Sequence, residues 1–171
     1  EGDFEERKRA SMKAWKEWLP VSGAPWSSFE LGDLATLFRP ETRLTARSER
    51  LDPQAAVGTD GDPVAKLKAA RDGPLADPKR TLLGPEQERW LYDGLANAGA
   101  RWNILGQDLV MAGLRFGDGG PNTRYWTDTW DGFPAARDRL TQALATLKPR
   151  NPVVLSGDYH SFWTNDVKLD S

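Results

Sequence analysis

Two stretches of this chain run from a helix into a strand, and each strand stops on polar residues. No other feature limits the possible folds as much. The first stretch opens at Gly84-Pro85-Glu86-Gln87, with proline in the first helical turn. Trp90, Leu91, Gly94, Leu95 and Ala98 then form an apolar stripe at helical spacing. Gly99 is placed to stop the helix, and Arg101 to Gly106 reads as a buried strand with Gln107 and Asp108 at its carboxyl end. The second stretch is a helix from about Phe133 to Leu147, with Phe133, Ala136, Leu140, Ala143, Leu144 and Leu147 on one face. A strand at 152–156 follows it. Repeated helix-to-strand units predict an α/β fold, and 171 residues suffice for one domain with a sizeable core.

The second strand leads into Ser156-Gly157-Asp158-Tyr159-His160, which contains the chain's one histidine. Open α/β sheets place ligands at the carboxyl ends of strands. A carboxylate and an imidazole there suit a metal such as Zn, Mn or Fe. The same residues also fit a plain turn, with Asp158 capping an amide. Two donors fall short of the three or four protein ligands that a metal site needs.

Upstream, residues 3 to about 18 predict a helix capped by Asp3, with Glu5 and Glu6 in the first turn. Its patch of Ala14, Trp15, Trp18 and Leu19 is expected to pack on a core. Ser27–Leu31 and Leu34–Arg39 resemble a hairpin around Gly32-Asp33. Arg43 and Arg47 follow the second of these strands. Guanidinium forks suit phosphate, although arginines at such a place are more often solvated.

Residues 44–79 form a long irregular connection with a short helix at Val64–Ala70, and Asp60-Gly61-Asp62 reads as a turn. The glycine-rich run at 117–122 is not preceded by the strand that a dinucleotide loop requires. Trp130-Asp131-Gly132 is either an aromatic rim over a polar site or a packed turn. The rim reading puts Trp130 against substrate and Asp131 behind the ligands.

A formal net charge of −2 gives no indication of a nucleic-acid surface. No apolar run approaches a membrane span, and no signal peptide is visible. With no cysteine, disulfides and thiolate metal sites are excluded. The chain opens in helix-like sequence without Met, and its end, Val167 to Ser171, reads as a strand under way. Both ends are expected to be cuts through a longer domain.

Several blocks, in order, resemble the PhoD-like alkaline phosphatases, a branch of the calcineurin-like metallophosphoesterases. They are Asp3-Phe4 with Arg7-Lys8 and Trp15 to Pro20, Gly32-Asp33-Leu34-Ala35, Thr42-Arg43, Leu83-Gly84 with Gln87 and Trp90-Leu91, and Ala100 to Asn103. Trp130 to Arg137 and Gly157 to Asp166 complete the set and carry most of its weight. The resemblance implies a phosphate-ester hydrolase with a multi-metal centre, usually iron and calcium, exported to the periplasm or outside the cell. The implied fold is two mixed sheets packed together and flanked by helices. It also implies Asp158 and His160 as metal ligands, with His160 the alternative proton donor to a leaving group. Arg43, with Arg47, would face phosphate, and Asn165 would support the ligand loop by hydrogen bonding.

The pattern is broken in two places. Glu41 stands where the family block usually has Asp before Thr-Arg. The amino-terminal metal-binding blocks of the family have no counterpart, so the expected identity is the middle-to-carboxyl part of a catalytic domain, inactive alone. A non-catalytic phosphate- or polyanion-binding module and a phospholipase D-type phosphodiesterase are the competing expectations.

Overall fold

The structure is a computed structural model and describes residues 2–20, 23–52, 62–114 and 126–168. The runs at 117–122 and Asp60-Gly61 fall outside the described residues, as does the chain end beyond 168.

The elements in order are α1 (Phe4–Trp18), β1 (Ser27–Leu31), β2 (Ala35–Arg39), α2 (Pro63–Asp72), α3 (Gly84–Asn97), β3 (Trp102–Gln107), α4 (Pro134–Leu147) and β4 (Pro152–Ser156). Short 3-10 turns lie at Pro74–Ala76 and Trp130–Gly132. One four-stranded mixed sheet runs β1-β2-β3-β4. The β1–β2 hairpin is antiparallel, closed by Gly32 at φ 59°. The β2–β3 and β3–β4 pairs are parallel. The expected α/β class with a mixed sheet and flanking helices is therefore what forms. Of the two sheets that the resemblance implies, the described residues build one.

The helix-to-strand units determine where the core lies. Thr36 pairs with Asn103, and Phe38 with Leu105 opposite Val154, so these side chains share one face. On that face Phe38 and Leu105 join Leu82, Leu91 and Leu95 of the α3 region, and Phe133, Ala136 and Leu140 of the α4 region, in the core. Gly94 is part of this fit, because a Cβ there would stand 2.6 Å from Phe38 Cε1. Trp90 packs edge-on to the Phe38 ring at 6.1 Å. The opposite face is different. Phe29, Leu31, Trp102 and Leu155 are exposed there, beside half-buried Leu37, Ile104 and Val153.

One expectation needs correction. The helix α1 forms, and Asp3 Oδ1 accepts from Glu6 N at 2.8 Å as its cap. Yet it buries no residue, and Trp15 and Trp18 are exposed. Leu19 of the same patch is exposed too. Helix α3 ends at Asn97 with Ala98 as an extended cap, immediately before Gly99. Of the strand expected over Val167 to Ser171, only Val167 and Lys168 are described, both irregular and exposed, and the rest lies outside the described residues.

Candidate functional site at the strand ends

Because β2, β3 and β4 are parallel, their carboxyl ends open on one edge of the sheet. Arg43 follows β2, Asp108 follows β3 and Asp158 follows β4. Hydrogen bonds tie the three ends together. The Thr42 hydroxyl, fully buried, donates to Asp108 Oδ2 at 2.9 Å. Gly157 N donates to the Asp108 carbonyl at 3.3 Å. Gln107 Nε2 donates to the Ser156 hydroxyl at 3.1 Å.

Arg43 bridges two separate loops. Its Nη1 donates to Asp128 Oδ2 at 2.8 Å, and its Nη2 donates to Asp158 Oδ2 at 3.0 Å. Burial pulls the guanidinium pKa down. The hydrogen bond and charge of Asp128, with the charges of Asp158 and Asp108, outweigh it and hold Arg43 above its usual value. Arg47 Nη2 also meets Asp128, at both Oδ1 and the main-chain oxygen. Burial pushes the Asp128 carboxyl up, but its two arginine partners win and keep it below the ordinary carboxylate range. The Arg47 guanidinium in turn lies 5.1 Å from the centre of the Phe133 ring, and Arg80 lies 4.8 Å from the same centre.

The turn that presents Arg43 is built on Glu41. Its carboxylate accepts from Arg43 N (2.6 Å), Leu44 N (2.7 Å), Thr45 N (2.8 Å) and the Thr45 hydroxyl (2.7 Å). Burial raises the Glu41 pKa and these donors lower it, with a net lowering. Glutamate thus serves here as the cap of the arginine turn. Gln87, fully buried, fastens that turn to α3. Its Oε1 accepts from Glu41 N at 2.6 Å, and its Nε2 donates to Glu41 O at 2.9 Å and Leu83 O at 3.1 Å.

The expected site residues divide into two groups. Arg43 and Arg47 are brought together through Asp128, and Asp158 joins them through Arg43. His160 is exposed and has no hydrogen-bond or ion-pair partner among the described residues. Asp158 and His160 both take left-handed backbone, at φ 70° and 52°. Non-glycine residues adopt it at a cost, and such strain clusters at functional loops. Gly157 between the strand and these residues does not have positive φ. Asn165 is exposed and makes no hydrogen bond to that loop among the described residues.

Trp130 is 1% exposed and belongs to the core, so the packed-turn reading of Trp130-Asp131-Gly132 is the one the structure adopts. Its Nε1 donates to Gln107 Oε1 at 2.9 Å. Asp131 accepts from Arg137 Nη1 at 2.6 Å and Leu114 N at 2.9 Å, and neither contact reaches Asp158 or His160.

A resident metal needs three or four protein donors. Among the described residues no group of three or more His, Cys, Asp or Glu side chains is placed to hold one. Asp158 and His160 are donors of suitable type, but two donors, one of them already on Arg43, do not by themselves fit a resident metal.

A mixed α/β sheet with an arginine–carboxylate cluster at its parallel strand ends is what the described residues build. The sequence profile of the PhoD-like phosphatases matches residues 1–171, and the chain belongs to that family. Alkaline phosphatase D of Bacillus subtilis (strain 168) is 32% identical over 173 aligned residues, covering 96% of this chain and 27% of that protein. The solved structure of PhoD superposes with a TM-score of 0.72 at 30% identity, over 94% of this chain and 30% of that one. The chain thus spans less than a third of the length of these relatives.

Proposed function

We propose that this chain is the phosphate-binding part of a metal-dependent phosphate-ester hydrolase, and that Arg43 is its phosphoryl ligand. The observation that carries this reading is the placement of Arg43, one-third exposed at the strand ends with its two Nη atoms directed at separate carboxylates. A guanidinium fork matches two phosphoryl oxygens in the same way. In the reaction it would neutralise the charge that builds on those oxygens. Family membership supports the reaction class.

Asp158 and His160 are proposed as two of the metal donors, with the remaining donors from residues beyond those described. Iron and calcium are the ions that the resemblance implies, and a metal held there would supply hydroxide near neutral pH. The open apolar face of the sheet, with Phe29, Leu31, Trp102 and Leu155 exposed, supports the further proposal that this is one part of a larger domain. A second sheet packed there would cover it. Export to the periplasm or the cell exterior is proposed on the family resemblance alone.

Kinetics on the intact protein test the reading. We expect an aryl phosphate monoester to be hydrolysed, the rate to fall to background on chelation, and iron with calcium to restore it. Faster turnover of the matching diester would favour the phosphodiesterase. Phosphate binding without turnover under metal-replete conditions would leave a binding module and overturn the proposal.

A further inference from the structure

We infer that Asp128 is a positioning residue that aims Arg43 at phosphate, with Arg47 acting as its anchor and not as a second phosphate ligand. This rests on the reading of Arg43 as phosphoryl ligand.

The two arginines are not equivalent. The Arg47 side chain is 10% exposed, against 33% for Arg43. Arg47 is held on three sides: by the Phe133 ring, by the Asp128 carboxylate and by the Asp128 carbonyl. Phe133 is itself fully buried in the core and carries Arg80 on its ring. A phosphate reaching Arg47 would have to displace a near-buried ion pair, whereas Arg43 already stands at the strand ends.

Asp128 connects the two. One carboxylate oxygen takes Arg47 and the other takes Arg43, so the position of the exposed arginine is referred to a group fixed in the core. Local structure holds Asp128 in turn. Thr129 and Gly132 form the tight turn after it, and a Cβ on Gly132 would fall 1.9 Å from the Thr127 carbonyl oxygen. An arginine side chain left to itself samples many rotamers, and ordering it costs entropy. A fixed partner removes most of that loss before the ligand arrives.

The alternative sign is open to experiment. A carboxylate beside a phosphate ligand could also compete with phosphate for the same guanidinium. The two roles give opposite results on removing the charge.

The test uses the intact protein and the isosteric change Asp128→Asn, with Arg43→Met and the double variant. Positioning predicts that D128N raises KM and the inhibition constant for inorganic phosphate by roughly tenfold or more. It also predicts that D128N adds little in the R43M background, as expected for residues acting through one another. Separate, slowly exchanging Arg43 Nη–H resonances in the wild type should merge in D128N. A fall in Tm with unchanged phosphate inhibition and unchanged Arg43 resonances would make Asp128 merely structural. Tighter phosphate binding in D128N would make it a competitor, and either result overturns the inference. Absence of both turnover and phosphate binding in the wild type would instead sink the parent reading. The resonances would then still decide whether Asp128 orders Arg43.

Discussion

Arg43→Met is expected to lower kcat/KM for a phosphate ester by about two to three orders of magnitude, about 3–4 kcal/mol of transition-state stabilisation. Methionine keeps the apolar stem and removes the fork, so the loss is electrostatic. Arg43→Lys should recover only part of it, because an ammonium is a single point charge and cannot meet two oxygens in one plane. The fold should survive, since Arg43 is partly exposed and ion pairs of that kind contribute about 1 kcal/mol or less. Steady-state kinetics on the intact protein, alongside a thermal melt, separate the two effects. Activity within a few-fold of wild type would remove Arg43 from the chemistry.

The largest expected effect on stability is at Trp130. Its ring is 1% exposed and packs with Phe133, Leu109 and Met111 in the core. Trp130→Ala should cost about 3–5 kcal/mol, the loss of a large buried ring together with the cavity left behind. Trp130→Phe separates the terms. It keeps much of the packing and loses the bond from Nε1 to Gln107, worth about 1 kcal/mol. Denaturant unfolding measures both. A cost below about 1 kcal/mol for the alanine variant would show that Trp130 is not the core residue described here.

These two residues also show what the sequence makes legible. Elements set by local spacing were readable. The strand at 152–156 and the helices beginning at Phe4 and Gly84 follow from caps, proline and apolar periodicity. The place of Arg43 just after a strand was readable too. Trp130 was not, since a tryptophan in a polar turn reads equally as rim or core until the rest of the chain packs around it.

The hidden part of the site consists of residues whose partners lie far along the chain. Asp128 meets Arg43 and Arg47 across 85 and 81 positions, and Thr42 meets Asp108 across 66. No periodicity carries such pairs. Gln87 looks like an ordinary amide in a first helical turn, and only its contacts with Glu41, 46 positions away, reveal that it clamps the arginine turn. Glu41 itself was visible as a departure from the family block. Its use as a four-donor cap is a matter of three-dimensional reach. Helix α1 fails in the other direction: periodicity announces an apolar stripe but does not say what covers it.

The most direct measurement is a crystal structure of the intact protein with bound phosphate or vanadate. An oxyanion is expected within hydrogen-bond distance, about 2.7–3.1 Å, of the Arg43 guanidinium at the carboxyl ends of β2 and β4, with Arg47 still on Asp128. An oxyanion bound elsewhere, with Arg43 still joined to both Asp128 and Asp158, would contradict it.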